Sequence, residues 1–294
     1  MNELFDEALI ARNRERALAR NAAGSDFLLE LTARELADRL AIVERRFENA
    51  VELFGATGLT ARAAMATGKI ERLQRIETHA GFGEEGQPVA VTNFESVPLE
   101  PQSVNLILSP LSLHLTNDTP GMLIQMRRAL KPDGLLLAAI PGAGTLSELR
   151  EVLLAAETEI YGGASPRVVP FADIRDIGSL LQRAGFALPV IDEESFTVRY
   201  DHIFALMRDL KAMGMGNPLK GRSRRPVSRR FFLRAAELYA ERFSDPDGRI
   251  RATFSIVFLS GWAPHESQQK PLKPGSAKMR LADALDPTKR SDQS

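Results

Sequence analysis

The sequence predicts an α/β fold in which a mostly parallel sheet is covered by helices on both faces. Short apolar segments alternate with segments whose apolar residues recur at helical spacing, and this alternation is typical of parallel sheets. "LKPDGLLLAAIPG" predicts a helix that ends at Lys131, a Pro-Asp-Gly turn and then a fully buried strand. "IRATFSIVFLSGWAP" is rich in β-branched and aromatic residues and predicts a last strand.

The predicted elements alternate along most of the chain. We expect strands at 48–54, 72–78, 88–93, 104–109, 135–140, 188–200 and 250–264, and helices at 58–67, 120–131, 145–160, 171–184, 201–213 and 228–243. Residues 1–46 are predicted to be an N-terminal helical segment, helical in pattern over 3–45, and 47–264 an α/β domain with a helical insertion at about 200–245. Residues 265–294 are polar, without a period, and predict a loose tail.

Composition narrows the class of protein. The chain has 294 residues, with 38 basic and 38 acidic side chains, so its charge gives no argument for a nucleic-acid partner or an anionic membrane. The absence of cysteine excludes disulfides, thiol nucleophiles and thiolate metal sites, and it suits a cytoplasmic location. No segment reaches the roughly 20 apolar residues of a membrane span, and the first residues lack the apolar core of a signal peptide. The sequence does not specify an oligomeric state.

The turn after the first strand is the first candidate binding loop. "AVELFGATGLTA" (50–61) joins a strand to a helix, which is where parallel sheets bind nucleotides at the carboxyl ends of their strands. Glu52 stands at the tip of the strand, and Gly55 and Gly58 give the loop part of its bare backbone. Phe54 and Ala56 stand where such loops usually carry glycine. Whether the Phe54 ring turns into the site decides if this loop still receives a cofactor.

Polar residues at the next strand tips complete a candidate cofactor site. Glu77 ends the second strand about 20 residues further on, where an acid takes ribose hydroxyls. Asn93 at the third strand offers a donor and an acceptor to an adenine edge. We expect Ala56 of the loop, Phe94 beside Asn93, and Ser109 at the end of the fourth strand to contact the cofactor as well.

Longer segments give the chain a family resemblance. "FESVPLEPQSVNLILSPLSLHLTND" and "LIQMRRALKPDGLLLAAIPG" resemble class I S-adenosylmethionine-dependent methyltransferases. "GTLSELR", "AETEIYGGASP", "LLQRAGF", "DPDGRIRATF" and "GWAPHESQQKP" narrow the resemblance to one branch, the respiratory complex I assembly factor related to a mitochondrial protein-arginine hydroxylase. The resemblance implies a Rossmann-like sheet whose last strand is antiparallel, S-adenosylmethionine as cofactor, and a complex I subunit as a candidate partner.

The family's first motif, D-x-G-x-G-x-G, reads here from Glu52 to Gly58, and two of its three glycines are replaced. The resemblance assigns the family acid of the second strand to Glu77, and Asn93 stands in place of the family's Asp on the third strand.

Other residues suggest chemistry outside the cofactor loop. His114 and Asp118 follow the fourth strand beside the expected site and are weak catalytic candidates. The four histidines lack metal-ligand spacing, so no metal site is predicted. Glu148, Glu157 and Glu159 on one helix could hold a guanidinium, but "TLSE" predicts a capping box in which Thr145 is the N-cap and Glu148 the N3 residue. Glu157 and Glu159 are predicted to lie on a solvated face.

Three functions therefore remain open from the sequence. The first is methyl transfer from S-adenosylmethionine to a protein or small molecule. The second is assembly of complex I through hydroxylation of a subunit arginine. The third is a non-catalytic relative that keeps the fold and binds a partner, which the altered glycine loop favours.

Overall fold

The computed structural model describes residues 3–20, 22, 24–84 and 86–269. Within this part of the chain, seven strands form one sheet. They are β1 Phe47–Leu53, β2 Ile70–Glu77, β3 Ala90–Val91, β4 Val104–Pro110, β5 Leu130–Pro141, β6 Ala187–Tyr200 and β7 Ile250–Trp262. The helices are α1 Glu7–Arg20, α2 Phe27–Ala41, α3 Leu59–Ala66, α4 Thr119–Ala129, α5 Ser147–Tyr161, α6 Ile174–Arg183, α7 Ile203–Ala212 and α8 Arg229–Phe243.

The strand order confirms the predicted Rossmann-like sheet. The strands lie in the order β3-β2-β1-β4-β5-β7-β6, and neighbours from β3 through β5 pair in parallel. β7 is antiparallel to both β5 and β6. The chain order reverses between β1 and β4, and such a switch point opens a crevice at the carboxyl ends of the strands. The loops that follow β1 and β4 therefore border the candidate site.

Helices cover the sheet on two sides, as the alternation predicted. One buried cluster joins the sheet to α2, α5, α7 and α8, and includes Leu36, Leu149, Leu206 and Tyr239. A second cluster joins the sheet to α4 and α6. Helices α7 and α8 follow β6 and precede β7, in the region predicted as a helical insertion. The chain from His265 onward forms a separate unit, and the predicted tail lies outside the described residues from 270 on.

Several element boundaries differ from the prediction, and two of the differences have local reasons. The third strand, predicted at 88–93, is limited to Ala90 and Val91, which pair with the end of β2. Helix α4 ends at Ala129 rather than at Lys131, because the chain already pairs with β4 at Leu130. The Pro-Asp-Gly turn is an irregularity within β5, where Asp133 takes a positive φ of 63°.

The predicted capping box at the start of α5 is wrong. Helix α5 begins at Ser147, and Thr145 instead exchanges hydrogen bonds with the backbone of Ser255 on β7, at 2.6 and 3.1 Å. Glu148 accepts hydrogen bonds from the Thr253 backbone N–H and hydroxyl on the same strand. Both side chains thus tie α5 to the sheet, and this long-range pairing replaces the local cap.

Candidate active site

The loop after β1 has the backbone shape of a glycine-rich turn without all of the glycines. Phe54, Ala56 and Gly58 have φ values of 56°, 58° and 67°. Residues with side chains rarely adopt this left-handed region, at a cost of about 1–2 kcal/mol for each. Other contacts must therefore hold Phe54 and Ala56 in place.

A buried ion pair under the loop supplies the contacts of Ala56, and Arg14 binds the carbonyl of Phe54. The Arg75 Nε donates to Glu52 Oε2 at 2.8 Å, and the Ala61 N–H of α3 donates to Glu52 Oε1 at 2.9 Å. Arg75 also donates to the carbonyl oxygens of Ala56, at 2.6 Å, and Phe82, at 3.0 Å. Burial raises the pKa of Glu52, and the Arg75 hydrogen bond and charge oppose the rise. The predicted cofactor acid Glu52 is thus part of the loop's internal support.

The same ion pair accounts for both glycines that the loop retains. A Cβ atom on Gly55 would lie 2.3 Å from the Glu52 carboxyl carbon, and one on Gly58 would lie 2.8 Å from the Arg75 guanidinium carbon. Gly55 and Gly58 are therefore required by the packing of Glu52 and Arg75, independently of any ligand.

Phe54 and Phe94 fill the part of the site next to β3. The Phe54 side chain is buried, and its ring lies 4.7 Å from the Phe94 ring with 30° between the planes. Both belong to the apolar cluster on the α4 side of the sheet. Of the other predicted contacts, Asn93 is exposed and accepts a hydrogen bond from Glu95 N–H in its own turn, while buried Ser109 bonds to Ser112 at 3.0 Å.

Glu77 is engaged by the chain itself. Its carboxylate accepts hydrogen bonds from the Ala56 N–H, at 2.5 Å, and from Arg14 Nη2, at 3.1 Å. The same Arg14 nitrogen donates to the Phe54 carbonyl at 2.9 Å. The Arg14 guanidinium carbon lies 5.3 Å from the centre of the Phe82 ring and 5.4 Å from that of Phe94. A guanidinium of α1 therefore occupies the recess where a ribose was expected.

Sequence reasoning missed Arg14 and Arg75. Arg75 had a weak signal, because it stands two residues before Glu77 on a predicted strand, and an unpaired charge is costly at the buried end of a strand. Arg14 had none, since it is one of several arginines on a charged helix.

His114 and Asp118 take different places after β4. The His114 ring lies 5.9 Å from the Phe171 ring. Burial lowers the pKa of His114 to about 3, and the charge of Arg14 adds to the effect. Asp118 is exposed and caps α4 by accepting a hydrogen bond from the Gly121 N–H at 2.9 Å. The two side chains therefore do not form a pair across one site.

A cavity of about 470 Å³ adjoins the loop. It opens over the carboxyl ends of β1, β4 and β5, where Phe54, Pro110 and Pro141 line it, and α1, α2, α5 and α7 enclose it. His114 is among the lining residues. The fold thus leaves space for a ligand on the α5 and α7 side of the loop, while Phe54, Phe94 and Arg14 fill the β3 side.

The glutamates of α5 are paired with arginines. Buried Glu157 binds Arg167 through both carboxylate oxygens, at 2.9 and 2.7 Å, so its predicted solvated position is wrong. Glu159 is exposed, as predicted, and pairs with Arg234 at 2.6 Å.

In the described part of the chain, no cluster of three histidine, aspartate or glutamate side chains has the arrangement of a metal site. No helix in that part is long and apolar enough to cross a membrane.

Comparison with known proteins agrees with the fold. A methyltransferase-domain family model matches residues 56–138. A crystal structure of the YcgJ protein from Bacillus subtilis is similar with a TM-score of 0.53 and 14% identity, over 78% of this chain and 98% of that one. At this identity the likeness concerns the fold alone. The sheet order, the family model and the cavity at the strand tips define a class I methyltransferase-fold protein.

Relatives place the chain within one branch. The protein named mitochondrial arginine-hydroxylase NDUFAF5 from Danio rerio is 33% identical over 95% of this chain and 89% of its own length. The Dictyostelium discoideum protein of that name is 47% identical over 63% of this chain, and the match spans 42% of its length. A malonyl-[acyl-carrier protein] O-methyltransferase from Methylovorus is 29% identical over 97% of this chain and 94% of its length. The chain belongs to the NDUFAF5 family within the class I methyltransferase superfamily, which confirms the resemblance.

We expect Gly58→Ala to destabilise the fold by about 3 kcal/mol, because it adds a clash with Arg75 to an unfavourable φ. Gly68→Ala is a matched control. Its φ of 69° is nearly equal, and among the described residues no atom lies within 4 Å of its added Cβ, so it should cost about 1 kcal/mol. Urea unfolding monitored by circular dichroism measures both. Equal losses would show that Arg75 does not confine Gly58.

We expect the His114 ring to stay neutral down to about pH 4, since burial lowers its pKa to about 3. The unfolded chain binds this proton near pH 6.5, so His114 favours unfolding as the pH falls from about 6.5 to about 3. Between pH 7.5 and 5.0, the parent should lose about 1–2 kcal/mol more stability than His114→Gln. Urea unfolding at the two pH values measures this difference. If NMR showed that His114 of the folded protein titrates near pH 6.5, the lowered pKa that causes the difference would be contradicted.

Proposed function

We propose that this protein binds S-adenosylmethionine and methylates a small molecule or a protein. The observation that carries the proposal is the position of the cavity, which begins at Ala56 and Thr57 of the loop and extends past the ends of β4 and β5. Ligands of open α/β sheets bind at this place. S-adenosylmethionine, when bound, supplies an activated methyl group, and methyl transfer then depends mainly on the alignment of donor and acceptor.

The residues fit this cofactor on one condition, which is that Arg14 leaves Glu77. Glu77 would then accept hydrogen bonds from the ribose hydroxyls, in place of the one it now accepts from Arg14 at 3.1 Å. Phe94 and Phe82, whose rings flank the Arg14 guanidinium, would flank the nucleoside. The Thr57 hydroxyl, buried and without a partner among the described side chains and backbone, is available to the polar end of the cofactor.

His114 would orient the substrate rather than remove its proton. An imidazole whose pKa is about 3 is a weak base at neutral pH, since proton transfer favours groups with a pKa near the working pH. As a neutral ring it can still accept a hydrogen bond at one nitrogen.

Hydroxylation of a complex I subunit is the second candidate, and the observation that favours it is the identity to relatives named arginine-hydroxylase. A complex I subunit as partner is part of this candidate. The third candidate, a non-catalytic relative, is favoured by the recess that Arg14 fills.

The cytoplasmic location predicted from composition remains a prediction, and the names of the arginine-hydroxylase relatives contain the word mitochondrial.

We expect Arg14→Gln to raise the affinity for S-adenosylhomocysteine about tenfold. The buried Arg14–Glu77 pair must separate before a ribose can reach Glu77, and the substitution weakens that competition. Isothermal titration calorimetry of the parent and the variant measures the change. Arg16→Gln, an exposed position on the same helix, is the matched control and should bind as the parent does.

Phe54→Gly separates the remaining outcomes of this titration. It opens the recess beside Phe94 and relieves an unfavourable φ. Binding recovered only in Phe54→Gly would assign the closure to the Phe54 ring. Absence of binding in the parent and in both variants would overturn the cofactor proposal and leave the partner-binding candidate.

Mass spectrometry distinguishes the first two candidates. We expect the protein, incubated with S-adenosylmethionine and an arginine-containing complex I subunit or small acceptors, to add the mass of a methylene group to its substrate. Phe54→Trp, which enlarges the buried ring at the loop, should reduce the product at least about tenfold. In a parallel incubation with dioxygen and a two-electron reductant, addition of an oxygen atom to a subunit arginine would instead favour the hydroxylase candidate.

A further inference from the structure

The segment between α7 and α8 and the start of α8 carry a cluster of exposed arginines. These side chains form the arginine patch, which consists of Arg224, Arg225, Arg229 and Arg230. In the part of the chain that the structure describes, none of the four makes an ion pair. By contrast, Lys220 and Arg222 of the same segment pair with Glu3 and Asp6. The segment is therefore attached to the N-terminal residues by its paired cations, and the patch is left free.

The stability of the fold does not account for the patch. Like charges that stand so close together along the chain repel one another. Arg229 and Arg230 lie in the first turn of α8, where the helix dipole disfavours cations, and that turn contains no acidic residue. The four charges thus carry an unfavourable electrostatic energy, which an anionic partner would relieve.

Apolar side chains border the arginine patch. Leu233 on α8 is 45% exposed, and Tyr161 at the end of α5 is 50% exposed. The hydroxyl oxygens of Tyr161 and Ser228, the residue before α8, are 3.0 Å apart in a hydrogen bond. A surface cavity of about 490 Å³ between α5 and α8 is lined by Arg229, Arg230 and Leu233. Arginines beside exposed apolar and aromatic groups are typical of protein–protein interfaces.

The neighbouring charges favour an acidic protein segment over a nucleic acid. Glu159 and Glu237 line the same surface cavity and share Arg234 as a partner, so a negative charge remains beside the patch. This charge would repel the closely spaced phosphates of a nucleic acid. A protein segment can instead place each carboxylate on an arginine alone. The last residues of this chain, 270–294, do not fit the patch, because they carry six basic and three acidic side chains.

The arginine patch is continuous with the wall of the cavity over the ends of β4 and β5. Met215 and Pro218, which precede the patch in the same segment, line that cavity. Arg167 also lines it, and its guanidinium carbon lies 4.6 Å from the centre of the Phe231 ring in the first turn of α8. Pro218 stands six residues before Arg224. An extended stretch of about six residues, which spans about 20 Å, can therefore bridge the patch and the cavity.

We propose that the arginine patch docks an acidic segment of a protein acceptor, and that a residue of this acceptor enters the cavity. The inference rests on the proposed function, and it selects a protein over a small molecule as the acceptor. We expect the acidic segment to lie about six residues or more from the residue that is modified. Methyl transfer and hydroxylation both allow this docking, since the patch binds the acceptor away from the reacting group.

Fluorescence anisotropy with labelled, end-capped peptides tests the patch. One peptide carries the segment Glu-Glu-Leu-Glu-Glu, and the other has glutamine in place of each glutamate. We expect the full chain to bind the acidic peptide at least about tenfold more tightly, and the difference to shrink at about 0.5 M salt. Equal binding of the two peptides would overturn the proposal. If a short oligothymidylate of the same net charge bound more tightly than the acidic peptide, a nucleic acid would replace the protein as the partner.

Substitutions separate the patch from the overall charge of the protein. Arg229→Gln/Arg230→Gln should weaken binding of the acidic peptide at least about fivefold, and the same change at the other two arginines of the patch should act likewise. Arg34→Gln/Arg72→Gln removes two exposed arginines elsewhere and should leave the affinity within about twofold of the parent. An equal loss in this control would assign the binding to net charge and overturn the docking surface.

Photo-cross-linking tests whether a docked segment reaches the cavity. The acidic peptide is extended on either side by about six glycine and serine residues that end in benzoylphenylalanine. Its photoactivated ketone inserts preferentially into methionine side chains. Met207, Met213 and Met215 line the cavity, whereas Met65 is exposed and lies outside the lining.

We expect mass spectrometry to find cross-links at the cavity methionines, and to find them lost in Arg229→Gln/Arg230→Gln. Cross-links only at Met65 or at other places outside the cavity, or none from a peptide that binds, would overturn the connection between patch and cavity. If the acidic peptide does not bind, the docking inference fails alone, because S-adenosylhomocysteine binding is measured without it.

Discussion

The buried Glu52–Arg75 pair is the interaction on which the site depends. It joins the tip of β1 to β2, reaches the first turn of α3 through Ala61 N–H, and holds the loop through the Ala56 carbonyl. Removing one partner of such a pair leaves an uncompensated buried charge and costs about 3–5 kcal/mol. The pair also explains why Ala56 keeps a positive φ value, since its carbonyl is held by Arg75, while the carbonyl of Phe54 is held by Arg14.

A second pair, Arg14 with Glu77, connects the loop and β2 to α1. The two groups are 63 residues apart, and the Arg14 side chain is 11% exposed while that of Glu77 is fully buried. Because Arg14 also binds the Phe54 carbonyl, α1 contacts the loop and the acid of β2 at one point. Binding of a ligand to Glu77 is therefore coupled to the packing of α1, because Arg14 must first leave Glu77. Binding in the cavity over the ends of β4 and β5 does not require this change.

The sequence predicted those features that depend on local periodicity, and the family resemblance added the antiparallel direction of β7. The buried strands and the position of Glu77 at a strand tip follow from alternation and chain order. The capping box failed because Thr145 and Glu148 bind β7, more than 100 residues away, and a local motif carries no information about that strand. Arg14 could not be predicted for the same reason. Phe54 could be predicted in part. The sequence showed its place in the loop but not its packing on Phe94.

Pairing of charges across the molecule explains how one region can be both rich in arginine and lined mostly by apolar side chains. Arg75, Arg14 and Arg167 each bind a glutamate, and each pair is largely buried. Such a pair presents little net field to the neighbouring space, so Arg14 and Arg167 add little charge to the cavity that they line. Separating Arg14 from Glu77 would change this balance, because a free guanidinium would then border the cavity. The charge of the cavity therefore depends on whether Glu77 binds Arg14 or a ligand. The Glu77 carboxylate thus links the recess beside β3 to the cavity.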